Sequence, residues 1–337
     1  MSKRKPKALV MLSGGLDSTL ALATMKELGV ETLALSFKTP FCNFDCGGGA
    51  CAGDVSDVAR RMGVKWRAEE LGEEYVEMVR KPKHGYGSGM NPCIDCRIMM
   101  FRRAKEVMGE VGADFMVTGE VVGQRPMSQN PKALETIEKE SGLKGKILRP
   151  LSARLLPPTD AETEGMVDRR RLKAISGRSR KEQISLAAEF GLKKYPNAGG
   201  GCVLTEKGFA SRLRDLFQHS EKPGMREIRL LGVGRHFRLS HSCKLVVGRD
   251  MVENREISSL AEPGETLMAV QDYVGPVCLL VGQHGEEGGT AAGICVRYSD
   301  APKDREVTVR LFDKDEKLLG TVVASALAEE RYAKYRL

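Results

Sequence analysis

Two groups of residues in this sequence have the types and the spacing to do chemistry. The first is Ser13-Gly14-Gly15-Leu16-Asp17-Ser18. Glycines let a backbone approach an anion where a side chain would block it, and N–H groups at a helix start attract negative charge. With Ser13 and Ser18 adding hydroxyl donors, the segment reads as a phosphate loop. Asp17 would repel phosphate unless a magnesium ion or water lies between them, which points to a metal-bridged nucleotide. The second group is cysteine. Cys93-Ile94-Asp95-Cys96 opens a helical stretch, and Cys202 follows the flexible run Ala198-Gly199-Gly200-Gly201. Two thiols in a C-x-x-C turn can bind one metal centre or form a disulfide, and a helix start favours their thiolates.

The elements around these groups alternate. Ala8 to Leu12 is a short apolar strand, and Leu16, Leu20, Ala23 and Leu28 follow at helical spacing up to Gly29. Thr32 to Phe37 reads as a strand, Val55, Val58, Ala59 and Met62 as a helix face, and Lys65 to Ala68 as a strand. A helix from about Cys96 to Met108 and a strand from Phe115 to Thr118 continue the series. This order predicts an α/β fold, an open and mostly parallel sheet with helices on both faces. Ligands gather at the carboxyl ends of such strands, so the loops after Leu12, Phe37 and Thr118 should form one site. Leu156 to Arg171, with Pro157-Pro158 and mixed charge, reads as an exposed insertion, and Lys181 to Phe190 as a further helix.

In its place between strand and helix, the loop resembles the PP-loop of ATP pyrophosphatases, which adenylate a substrate and release pyrophosphate. Further motifs carry the likeness: Cys96-Arg97-Ile98-Met99-Met100, Gly112-Ala113-Asp114, Val117-Thr118-Gly119-Glu120, Gly123-Gln124, Ser128-Gln129 and Leu148-Arg149-Pro150-Leu151. In this order they resemble the core of tRNA 4-thiouridine synthetases and, less closely, that of the 2-thiouridylases, in which Asn91-Pro92 and a downstream cysteine have counterparts. The resemblance covers roughly residues 7 to 205 and implies an adenine nucleotide α-hydrolase-like fold, ATP with Mg²⁺, and tRNA as substrate. It implies that Ser13, Gly14, Gly15, Asp17 and Ser18 hold the ATP phosphates, that Ser36 and Phe37 border the adenosine, and that Thr118, Gly119 and Gln124 close the site. Arg149 is then a phosphate or RNA contact.

Cys93, Cys96 and Cys202 match the thiouridylase pattern. Three thiolates suit a 4Fe-4S cluster whose fourth iron is open to sulfide. The alternatives are persulfide chemistry, with Cys96 and Cys202 as catalytic pair, and a zinc or structural role. Either sulfur chemistry needs a donor, sulfide or a persulfide-carrying protein. Cys42, Cys46 and Cys51 lie around Gly47-Gly48-Gly49 as another metal site, a sulfur relay or reactive loop thiols. Cys243, Cys278 and Cys295 sit in apolar runs and read as buried and inert, and the five histidines show no metal-ligand spacing.

After about Glu221 the pattern changes to short runs: Glu227 to Leu231, His236 to Leu239, Lys244 to Val247, Pro276 to Val281 and Glu306 to Phe312. This divides the chain into residues 1–220 and a smaller α+β domain over 221–337, with Gly285 to Gly289 a flexible loop. Gly234-Arg235-His236-Phe237-Arg238 and Leu245-Val246-Val247-Gly248-Arg249-Asp250 resemble NFACT-type RNA-binding domains. Arg235, Arg238, Lys244 and Arg249 are spread along these runs and could follow a phosphate backbone. A net charge of +8 suits a polyanionic partner. With 41% hydrophobic and 29% charged residues and no run near the ~20 apolar residues of a membrane span, the expectation is a cytoplasmic protein. A homodimer is left open.

Overall fold

The computed structural model describes residues 4–42, 55–192, 195, 202–282 and 285–337. Cys46, Cys51 and the glycine run before Cys202 lie outside the described residues. The chain divides into two compact units, Met1–Glu206 and Lys207–Leu337.

The first unit carries a five-stranded parallel sheet of order β3-β2-β1-β4-β5. Its strands are β1 (Lys7–Met11), β2 (Glu31–Lys38), β3 (Lys65–Glu70), β4 (Phe115–Val117) and β5 (Ile147–Leu148). Between them run α1 (Leu16–Glu27), α2 (Val55–Arg61), α3 (Glu73–Arg80), α4 (Cys93–Val111) and α5 (Pro131–Ser141), followed by α6 (Asp160–Thr163) and α7 (Lys181–Glu189). The apolar run of β1 has a packing reason. Ala8 and Val10 face one core with Leu22 and Met25 of α1, while Leu9 and Met11 face the opposite core with Phe101 and Val107 of α4. A strand covered on both faces has no solvent side, so it reads as continuous hydrophobicity instead of alternation. Leu16 and Leu20 of α1 pack in addition against Leu186 of α7.

The segment from Leu156 to Arg171 is largely exposed, as its prolines and charges imply, but it is anchored by Ala161 and Val167, which are buried in the core with Leu22 and Val117. Its proline pair and charges hid two apolar anchors.

The second unit is a six-stranded antiparallel sheet of order β11-β10-β8-β9-β7-β6. Its strands are β6 (Arg235–Arg238), β7 (Cys243–Val247), β8 (Thr266–Val270), β9 (Cys278–Gly282), β10 (Val307–Phe312) and β11 (Leu318–Ala324). The helices are α8 (Lys207–His219), α9 (Met225–Leu230), α10 (Met251–Leu260), α11 (Glu287–Arg297) and α12 (Glu329–Tyr332). Leu245 and Val247 pack with Ile294 of α11 on one face, while Val246 packs with Ile257 of α10 on the other. Two local readings change. Most of Glu227 to Leu231 lies in α9, not in a strand, and Glu287 to Gly289 begin α11. Helix α8, placed before the domain boundary in the sequence reading, groups with the second unit.

One contact in the first unit is backbone on backbone. A Cβ added at Gly119, just past β4, would lie 2.4 Å from the nitrogen of Ser18 and 2.6 Å from the carbonyl oxygen of Asp17. No rotamer change can relieve that overlap. Gly119→Ala should therefore lower stability by about 2 kcal/mol and displace the start of α1, to be read as urea unfolding and as faster amide hydrogen exchange over residues 13–20. Unchanged stability and exchange would show that the approach does not shape the loop.

Candidate functional site

The loop Leu12–Gly15 leaves the carboxyl end of β1, and Gly14 takes a left-handed φ of 78° that lets it turn sharply into α1. Gly15 occupies the N-cap without a side-chain cap, so the first-turn N–H groups of a twelve-residue helix receive no hydrogen bond from that position. Ser13 and Ser18 stand with hydroxyl oxygens 3.2 Å apart, and the Ser18 hydroxyl donates to the Gly15 carbonyl at 2.9 Å. The geometry is an anion cradle closed by Gly119 from β4.

Asp17 lies in the first turn of α1, beside this cradle. Its Oδ2 accepts from Gln124 Nε2 at 3.0 Å, while its buried Oδ1 has no hydrogen-bond partner among the described residues. Burial raises the Asp17 carboxyl above its usual range, and Gln124, Arg180, Arg125 and Gln183 oppose that rise. An orphaned, desolvated carboxylate oxygen beside a phosphate cradle has the donor chemistry for a hard cation such as Mg²⁺. Of the other nucleotide residues, Thr118 is buried and donates to Glu120 Oε2 at 3.2 Å. The Ser36 hydroxyl accepts from Trp66 Nε1 at 2.9 Å, and Phe37 packs against the α4 core.

Arg149 needs correction as an RNA contact. Its side chain is 2% exposed, and it bridges Glu120 Oε2 at 3.0 Å and Glu138 Oε1. It is an internal strut between the end of β5, the β4 loop and α5. Arg97 Nε stands 3.5 Å from the other oxygen of Glu120. Arg97 also adjoins the cysteines, and its charge favours the Cys96 thiolate. Glu120, Arg97 and Gln183 were not assigned roles from sequence. A carboxylate after Thr118-Gly119 and a glutamine inside an apolar helix were the available signals.

The backbone brings the cysteines together. Met90 N–H donates to the Leu204 carbonyl at 2.8 Å, which ties the chain just before Cys93 to the chain just after Cys202. Cys93, Cys96, Cys202 and also Cys42 lie within electrostatic reach of one another. Buried Tyr75 donates to Cys96 Sγ at 3.0 Å. Burial pushes the Cys202 thiol up to about 12 and raises Cys96 as well, with Arg97 and Tyr75 opposing the rise at Cys96. Among the described residues, however, no three Cys, His, Asp or Glu side chains are arranged to hold a metal ion. The donor set has the chemistry of an iron–sulfur site. Tyr75 escaped the assignment of site residues, and Cys42, read from sequence as part of a metal site, a sulfur relay or a set of reactive loop thiols, lies near the other cysteines.

In the second unit the four cations chosen from sequence separate. Arg238 makes two hydrogen bonds to Asp215 at 2.9 and 2.7 Å, and Lys244, 6% exposed, lies 3.9 Å from the same carboxylate. These two are corrected to internal partners that hold α8 to β6 and β7. Arg235 stacks over the Tyr298 ring at 4.7 Å, and Arg249 is exposed beside Glu253.

Comparison with known proteins agrees with this division. Residues 6–141 match the family described as tRNA methyl transferase HUP domain, and residues 234–336 match the NFACT protein RNA binding domain. The chain is thus similar to a HUP domain in its first unit and to an NFACT RNA-binding domain in its second. The HUP part is 31% identical over 119 residues to the tRNA-specific 2-thiouridylase MnmA of Pelobacter propionicus, covering 34% of this chain and 33% of that protein. It is 28% identical over 142 residues to the same enzyme of Rhodopseudomonas palustris, covering 38% and 35%. The chain thus spans about a third of the length of these relatives. Among solved structures it is similar to a 4-thiouridine synthetase in an RNA complex with bound ATP, with 22% identity, 67% of this chain and 52% of that one, and a TM-score of 0.39. It is also similar to the tRNA thiolase NcsA from Methanococcus maripaludis, with 17% identity, 68% and 71% coverage, and a TM-score of 0.36. No helix among the described residues is long and apolar enough to cross a membrane.

The Asp215 cluster of the NFACT unit yields a stability test. Burial pulls the Lys244 amine down to about 8, against the attraction of Asp215. The unfolded chain then binds more protons than the folded one between pH 8 and the ordinary value of 10.5, so stability rises with pH across that window. Lys244→Met should remove this rise and change stability at pH 7 by no more than about 1 kcal/mol, whereas Asp215→Asn, which strands two cations, should cost about 3 kcal/mol. Urea unfolding followed by hydrogen exchange in residues 207–337 measures both. A costly Lys244→Met at pH 7 would refute the balance of charges.

Proposed function

We propose that this protein is an ATP-dependent tRNA sulfurtransferase, which adenylates a uridine carbonyl oxygen and replaces that oxygen with sulfur. The observation that carries the reading is the pairing of two features in one unit. An uncapped phosphate cradle adjoins an orphaned Asp17 oxygen, and a set of cysteines is joined to the β4 loop of that cradle through Glu120 and Arg97. The likeness of residues 6–141 to tRNA-modifying enzymes supports it.

ATP binds with its phosphates on Ser13, Gly14, Gly15 and Ser18, with Thr118 and Gly119 closing the cradle, Gln124 orienting Asp17, and Ser36 and Phe37 bordering the adenosine. Asp17 would hold Mg²⁺, which supplies charge neutralisation on the phosphates. The uridine oxygen attacks the α-phosphorus and pyrophosphate leaves. Adenylation makes AMP the leaving group, and a nucleophilic sulfur at Cys96 can then displace it from the base carbon. We assign tRNA binding in part to the NFACT unit, with Arg235 as a phosphate contact on its surface, while Arg249 is paired to Glu253.

Two sulfur chemistries fit the residues. The persulfide route, supplied by a persulfide-carrying donor, uses the cysteines as thiols, with the Arg97 charge favouring the Cys96 thiolate. A 4Fe-4S cluster on Cys93, Cys96 and Cys202 is favoured by the donor types alone, and no step is drawn through it. Anaerobic reconstitution followed by iron and sulfide analysis separates the routes. Thiol chemistry predicts full thiolation by iron-free protein, and activity confined to protein carrying one cluster per chain would replace it.

The reaction itself is tested with ATP, tRNA and a persulfide donor. The expected products are AMP, pyrophosphate and a thiouridine found by mass spectrometry of tRNA nucleosides, with Asp17→Asn lowering AMP formation on the order of 100-fold or more. ADP as the RNA-dependent product, or no thionucleoside, would refute the assignment.

A further inference from the structure

The fourth cysteine of the set has no place in the chemistry so far. Cys42 follows β2, and its surroundings are built. Thr39 N–H donates to Cys42 Sγ at 3.4 Å, and the Thr39 hydroxyl lies 3.2 Å from the same sulfur. The neighbouring Phe41 is 2% exposed, and its ring stands 6.0 Å from the ring of Tyr75. Tyr75 in turn donates to Cys96 Sγ at 3.0 Å. A short chain of contacts thus runs from the residue beside Cys42 to the sulfur of Cys96, and each sulfur accepts a hydrogen bond, Cys42 from Thr39 N–H and Cys96 from the Tyr75 hydroxyl.

We infer that Cys42 is the resolving thiol of the sulfur transfer, attacking Cys96 once the new sulfur has bonded to the base. The inference rests on the persulfide route proposed above. A donor persulfide first passes its outer sulfur to Cys96 and leaves as a thiol. The outer sulfur of the Cys96 persulfide loses its proton and attacks the adenylated carbon, the carbon–oxygen bond breaks, and AMP leaves. The product is a mixed disulfide between Cys96 and the base. The Cys42 thiolate then attacks Cys96 Sγ, and the bond from Cys96 Sγ to the transferred sulfur breaks. Its electron pair goes to the sulfur on the base, which becomes the thiocarbonyl. The two cysteines are oxidised to a Cys42–Cys96 disulfide while the transferred sulfur is reduced, and a dithiol reductant restores both thiols.

Two measurements on the whole protein test this. In the first, the reduced protein is treated with dibromobimane, which bridges neighbouring thiols, and the linked peptides are mapped by mass spectrometry. A Cys42–Cys96 link is expected, and linkage confined to Cys93 with Cys96 or Cys202 overturns the inference. In the second, one turnover with ATP, tRNA and persulfide is run without reductant and quenched with an alkylating agent. The wild type should contain a Cys42–Cys96 disulfide in step with the thiouridine formed. Cys42→Ser should instead accumulate a tRNA–protein adduct released by dithiothreitol and lose repeated turnover. Wild-type rates in Cys42→Ser, or a disulfide between Cys96 and Cys202, would overturn the role of Cys42 alone. A wild type that makes no thionucleoside would defeat the sulfurtransferase reading itself, and the resolving role with it.

Discussion

The approach of Gly119 to the Asp17–Ser18 backbone is the constraint on which the first unit depends. Strands β1 and β4 are parallel neighbours with Val10 opposite Val117, so the chain two residues beyond Val117 must pass the loop that leaves β1. With β2 and β3 on one side of β1 and β4 and β5 on the other, this is the switch point of the sheet, where the loops part and a crevice opens. A side chain on residue 119 would occupy space already filled by backbone. Glycine there has a steric cause, and it allows Gln124 to reach Asp17 and Glu120 to reach Arg97.

Buried charge holds this region in one arrangement. Glu120 and Arg149 are nearly inaccessible, and removing such groups from water costs several kcal/mol per ion unless their partners are well placed. Glu120 contacts Arg149 through one oxygen and Arg97 through the other, while Arg149 reaches on to Glu138. An apolar replacement would pack as well but would not specify where Arg97 lies. Because Arg97 favours the thiolate of Cys96, the ion-pair chain makes the charge at the sulfur depend on the position of the β4 loop.

Much of this was legible in the residues. The alternation of strand and helix and the glycine loop at the first junction rest on short-range pattern, and pattern carries topology when strands are buried on both faces, whereas Cys202 was grouped with Cys93 and Cys96 through family resemblance. What escaped was set by distance in the fold. Tyr75 is an ordinary core residue of α3 until the sheet brings it to Cys96, and Cys42 joins the other thiols because β2 ends at the same edge as β1 and β4. Arg149, Arg238 and Lys244 failed as surface contacts for one reason. A sequence displays charge but not its partner, and Glu120 and Asp215 come from other elements. The Leu156 to Arg171 segment is largely exposed as expected, yet its prolines and arginines concealed Ala161 and Val167 in the core.

On the proposed reading, the same distinction governs how the second unit would hold RNA. Arg238 and Lys244 are tied to Asp215, and Arg226 is tied to Glu262 and Glu265, so these cations are internal bonds of the unit. Counterion release depends on cations that meet phosphate without first leaving a carboxylate. The net charge of +8 therefore says little about phosphate contacts, because it counts paired and unpaired cations alike. Arg235 differs in kind. Its guanidinium lies on the Tyr298 ring and so is oriented by an aromatic face, not neutralised by an acid. A cation held rigidly yet still charged toward solvent loses little freedom on meeting a phosphate, and on the proposed reading a few such groups would bind more strongly than a larger number of paired ones.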